Sequence, residues 1–166
     1  MIIFVLILLT LFNFFLQSSL LPYISIFGVV PNTSIILILC IALFKGKAYG
    51  AIFGLFIGLL QDVVFSPIIG INAFIYFFLG YFLGTIENRL IRENMFIPIL
   101  FSVLGVIYYN FSYYVFTYFL SQEIPFLAFA KEVLSTEIIY TTILAIPIYM
   151  LFSKAFTSPT TIFNRK

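Results

Sequence analysis

The chain has 166 residues, of which 63% are hydrophobic and only 8% charged, with a formal net charge of +2. A soluble domain is about one-quarter charged, so a mean hydropathy of +1.20 excludes a water-soluble fold and indicates an integral membrane protein. With no histidine and a single cysteine, the chain can assemble neither a Cys/His zinc site nor a cysteine–histidine nucleophile, and no disulfide can close within it.

Cutting the apolar runs at charges and turn residues predicts six membrane-spanning helices, each needing about 20 residues to cross about 30 Å of hydrocarbon. The first covers 1–21; it has neither a basic leading segment nor a small-x-small cleavage site, so it reads as a retained helix. The second covers 31–44, with Pro31 suited to a first helical turn, and is short unless part of the preceding "YISIFGVVPN" also lies in the membrane. The third, 46–65, contains "GKAYGAIFGLFIGLLQD". After a break at Pro67 and Gly70, Asn72 is the expected N-cap of the fourth span, 72–86. The fifth, 95–120, carries Asn110 with Tyr108, Tyr109, Tyr113, Tyr114 and Tyr118. Such rings belong to packing or interfacial belts, with Tyr109/Tyr113 and Tyr114/Tyr118 alternatively lining a pocket. "IPFLAFAKEV", 124–133, is apolar enough to lie along the outer interface before the sixth span, 133–152. Every connection is short and no linker divides the chain, so residues 1–166 form one membrane domain.

With the amino terminus inside, the inner loops and tails hold Lys45, Lys47, Arg89, Arg92, Lys154, Arg165 and Lys166, while the outside holds only Lys131. Positive charge concentrates on the cytoplasmic side, so both termini are expected in the cytoplasm. "ENRLIRE", 87–93, is then a solvated inner loop that anchors topology, or else a docking point for a cytoplasmic partner.

Gly46, Gly50, Gly54 and Gly58 recur every fourth residue, which stacks them on one helix face. Gly80 and Gly84 repeat the spacing in the fourth span. Lipid gives no hydrophobic push between helices, so smooth faces that allow close backbone approach supply the attraction. These glycines are expected to pack within the molecule or to receive a partner helix. Leucine at Gly54 should overpack the contact, and alanine should do less harm. Asp62 ends the glycine face, where a carboxylate opposes the helix dipole and is expensive at membrane depth. It is expected to be hydrated or bonded to the turn "SPIIGINA", or else to contact a partner or solute.

Pro31 and Asn32 opening a helix, a basic turn, Gly50, Gly54, Gly58 and Asp62, then "SPIIGINAF" and "LGYFLG" together resemble the MreD family of the bacterial rod-shape machinery. The match covers roughly residues 31 to 86, and Asn32 stands where family members usually carry an acid. The resemblance implies an all-α inner-membrane protein of six transmembrane helices, similar in fold to the substrate-binding subunits of energy-coupling-factor transporters. It implies a non-enzymatic scaffold of the cell-elongation complex. The implied partners are MreC, a protein with one membrane helix, and through it RodA, a class B penicillin-binding protein and MreB.

The residues themselves offer no catalytic constellation. Acid–base work would have to draw on Asp62, Glu123, Glu132 and Glu137, at spacings that suggest no poised pair, and the glycines follow a helical period rather than a phosphate-cradling turn. Cys40 reads as filler. No cofactor, metal or nucleic acid is expected, and membrane lipid is the surrounding partner. The alternative function is a solute-binding subunit of a vitamin transporter, but such subunits often dock through alanines on their first helix, and residues 1–21 contain neither alanine nor glycine. An orphan helical bundle with an unrelated assembly role is the third possibility. Asp62, Asn72 and Asn32 are the candidate polar positions at the membrane interface.

Overall fold

The computed structural model describes residues 2–25, 29–66, 68–86, 96–120 and 126–157. Among them no strand forms, and the elements are six α-helices, α1 (Ile2–Phe15), α2 (Thr33–Lys45), α3 (Lys47–Phe65), α4 (Ile71–Thr85), α5 (Phe96–Phe119) and α6 (Phe126–Thr157), with two short helical turns. A π-helical turn, Leu16–Leu20, and a 3-10 turn, Leu21–Ile24, prolong α1. Among the described residues, four segments are long and apolar enough to cross a membrane: Phe4–Tyr23, Lys47–Phe65, Phe96–Phe119 and Thr136–Phe156. The other two helices are shorter, α2 with 13 residues and α4 with 15. The basic segment 87–93 lies outside the described residues.

An apolar helix with no polar stripe belongs inside a protein, and α2, "TSIILILCIALFK", takes that place. Residues from Ile35 to Ala42 are almost wholly buried, and α3, α4, α5 and α6 all contact this helix. Cys40 is among the buried side chains. Large apolar side chains of the outer helices face outward instead, such as Phe4, Leu8 and Phe12 on α1 and Ile52, Phe56 and Val63 on α3. Such a surface suits hydrocarbon and would be a liability in water.

Helix boundaries depart from expectation in three places, each for a local reason. Pro31 lies before α2 rather than in its first turn, because Asn32 is the N-cap: its Oδ1 accepts the Ile35 N–H at 3.3 Å. Asn72 is not the cap of α4, which begins one residue earlier after Gly70 in a left-handed conformation. Segment 126–133 is not a separate interfacial stretch but the start of α6. At 32 residues, α6 is about 48 Å long at 1.5 Å per residue, so its ends project beyond a hydrocarbon layer of about 30 Å.

Gly46 is the single residue between α2 and α3, with φ of +88°. Its N–H closes the end of α2 on the Ala42 carbonyl at 2.9 Å, and its missing Cβ permits the reversal. Gly46 therefore makes the turn, and the glycine face begins at Gly50.

Candidate functional site

Two features occupy the positions singled out in the sequence: the contact between α3 and α4, and a polar cavity where the helices end. Along the first, the glycines of one helix meet the backbone of the other. A Cβ at Gly50 would lie 2.7 Å from the Gly80 carbonyl oxygen and 2.6 Å from Ala42 Cβ. At Gly54 it would strike the Tyr76 carbonyl group, and at Gly58 the backbone of Asn72 and Ala73. In return, Gly80 faces the backbone of Gly50, and Gly84 faces Lys47 and Gly46. This intramolecular contact covers Gly50, Gly54, Gly58, Gly80 and Gly84.

Asp62 closes the same contact at the far end of α3. Its side chain is fully buried at 0% exposure. Oδ2 accepts the backbone N–H of Gly70 at 3.0 Å and of Ala73 at 2.9 Å; Oδ1 accepts the Asn72 backbone N–H at 3.1 Å and Asn72 Nδ2 at 2.9 Å. The first N–H groups of a helix have no partners within it and carry the positive end of its dipole. The Asp62 carboxylate thus opposes the dipole of its own helix and satisfies that of the next, sealed from water by the turn it binds. Released from capping, Asn72 also donates to Ser66 Oγ at 3.2 Å, and its Oδ1 accepts the Tyr109 hydroxyl at 2.7 Å.

Asn72 thereby reaches the cavity, a space of about 500 Å³ lined by Gln17, Asn32, Gln61, Tyr76, Tyr109, Asn110, Tyr113 and Glu137 among others. Tyr76, Tyr109 and Tyr113 stack in sequence, with centroids 5.1 and 5.9 Å apart. Tyr114 and Tyr118 stack on each other at 6.3 Å and are not among the lining residues. Glu137 is 6% exposed, and its Oε2 accepts Asn110 Nδ2 at 2.8 Å. Asn32 links three helices here: its backbone N–H donates to Thr141 Oγ1 at 3.0 Å, and its Nδ2 to the Tyr76 hydroxyl at 3.1 Å.

A second polar cluster ties α1 to the bundle. Asn13 Nδ2 donates to Ser34 Oγ at 2.8 Å, Thr33 Oγ1 donates to Asn13 Oδ1 at 2.6 Å, and Gln61 Nε2 donates to Ser34 Oγ at 2.9 Å and to Gln17 Oε1. Buried carboxamides at membrane depth need such partners. The sequence reading missed Asn13, Gln17, Gln61 and Tyr76. The available signal was polar residues inside apolar spans, with Asn13 and Gln17 four apart on one helix face.

Among the described side chains, charge divides between the two ends of the bundle; the side chain of Lys131 is outside them. Lys45, Lys47 and Lys154 end or begin their helices on one side, where Lys45 Nζ sits 5.2 Å from the centre of the Phe156 ring. Asp62 and Glu137 lie at the other. Glu123 and the side chain of Glu132 fall outside the described residues. Among the described residues, no three His, Cys, Asp or Glu side chains gather as metal ligands.

The family model for rod shape-determining protein MreD matches residues 1–155. No curated protein and no solved structure matches the chain. Membrane-length apolar helices and a family match over nearly the whole length lead to one conclusion: this is an integral membrane protein that belongs to the MreD family of rod shape-determining proteins.

Proposed function

We propose that the chain is a non-enzymatic scaffold subunit of the cell-elongation complex in the bacterial cytoplasmic membrane. It crosses the membrane six times, in the arrangement expected of a relative of energy-coupling-factor substrate-binding subunits. Both termini and the lysine-bearing end face the cytoplasm. It binds a single-span partner of the MreC type and so supports peptidoglycan synthesis by RodA and a class B penicillin-binding protein, in register with MreB. The observation that carries this reading is the family match over residues 1–155. Because α4 already covers Gly50, Gly54 and Gly58, the partner helix is assigned to outward-facing aliphatic and aromatic side chains.

Purification of the tagged chain from its host in mild detergent should bring down an MreC-like protein, and depletion in a rod-shaped host should give rounded cells. Normal rods on depletion, with growth restored by a supplied vitamin, would instead identify a transporter subunit.

The orientation has its own check. In a Cys40→Ala background, cysteine at Ser66 should react with an impermeant thiol reagent from outside, and cysteine at Asn88 only from inside. Outside labelling at Asn88 would invert or break the topology, which rests on the distribution of lysine and arginine.

A further inference from the structure

The cavity has a chemistry that the scaffold role does not use. Its volume of about 500 Å³ falls within the roughly 300–1,000 Å³ of small-ligand sites, and its walls mix apolar surface from Val29, Val30, Pro31 and Phe65 with polar side chains. Asp62 is not available to a ligand there, since the start of α4 already occupies both of its oxygens. Glu137 is different: it lines the space directly, with Oε2 held by Asn110 and the Asn32 side chain as a second neutral partner. A carboxylate at 6% exposure with only neutral partners is favoured by a counter-charge. Among the described side chains the lysines Lys45, Lys47 and Lys154 lie at the opposite end of the bundle. The stacked rings of Tyr76, Tyr109 and Tyr113 add an aromatic wall, in which Tyr113, at the end of the stack, is the ring whose outer face could meet a cation. The phenol oxygens of Tyr109 and Tyr113 can accept N–H bonds.

We propose that this cavity binds a protonated primary amine, seated against Glu137 and the tyrosine wall. Two sources carry that group: a soluble amine, or the headgroup of phosphatidylethanolamine reaching in from the surrounding bilayer. An anionic headgroup is disfavoured by the Glu137 charge. The inference depends on the cavity alone and stands whether or not a single-span partner binds elsewhere.

The test uses the full chain in nanodiscs of mixed phosphatidylethanolamine and phosphatidylglycerol, and separately in mild detergent. Native mass spectrometry should find phosphatidylethanolamine retained in preference to phosphatidylglycerol if the lipid is the source. If a soluble amine is the source, ethanolamine should raise the thermal midpoint saturably while ethylene glycol, its uncharged counterpart, does not. Either result supports the site, and Glu137→Gln should weaken it by about tenfold or more, as loss of a buried charge partner does. The proposal is overturned if neither source shows selectivity, if ethylene glycol matches ethanolamine, or if folded Glu137→Gln binds as the wild type does. Should Glu137→Gln not fold, the paired comparisons on the wild-type protein decide alone.

Discussion

Gly54→Ala is expected to destabilise the protein strongly, although it adds a single methyl group. The new Cβ would fall on the carbonyl group of Tyr76 in α4, and a helix backbone cannot step aside as a side-chain end can. Overpacking of a tight contact costs about 1–3 kcal/mol, and a rigid obstacle places this variant toward the upper end. Against it stands the helix preference for alanine over glycine, about 1 kcal/mol in water and less in a membrane, where the unfolded segment stays helical. The clash wins. Gly105→Ala is the control, because its Cβ would meet only the Ile35 methyl carbon Cγ2 at 2.8 Å and Leu79 Cδ1 at 3.8 Å. In detergent, Gly54→Ala should lower the thermal midpoint by several degrees more than Gly105→Ala. Equal midpoints would remove the glycine contact as a determinant of the α3–α4 pair.

Asp62→Asn should be nearly as damaging, despite its matched size. The wild-type carboxylate accepts three backbone N–H groups and the Asn72 amide. An asparagine keeps one accepting oxygen and turns an NH₂ toward donors that need an acceptor. Charged hydrogen bonds are worth about 1.5–3 kcal/mol each, and a buried donor left unmet loses about 1–3 kcal/mol, so a net loss of about 3 kcal/mol is expected. The start of α4 should loosen first. A cysteine at Ser66 should then react faster with a thiol reagent in the Asp62→Asn background than in the wild type. Unchanged stability and unchanged reactivity would mean that the turn holds without the carboxylate.

Both expectations rest on positions visible in the sequence, yet the sequence ranked them differently. At Gly54 the four-residue spacing announced close packing but not how close. A spacing rule gives the side of a helix that faces a neighbour, while the tolerance for a methyl group depends on whether that neighbour presents a side chain or a carbonyl. At Asp62 the conflict with its own helix dipole was legible. Its resolution by the N-terminus of α4 required knowing that the turn folds back over it. Asn72, expected to cap α4, could serve the cavity only because Asp62 had taken the capping role. The cavity itself was hidden for a related reason: Asn32, Tyr76, Tyr109, Asn110 and Glu137 come from four helices, and no local pattern joins them.

Composition, hydropathy and charge by themselves determined that this is a membrane protein of apolar helices, and the glycine, aspartate and turn motifs pointed to the MreD family. Those properties are set by transfer of side chains into lipid and by helix periodicity, which need only neighbours in sequence. Only the tertiary structure decided that α2 is the enclosed helix, that α4 fills the glycine face, and that Glu137 looks into a polar cavity. Each of these depends on which surfaces meet. In a bilayer, where apolar burial does not distinguish one helix partner from another, shape and hydrogen bonding between distant segments make that choice.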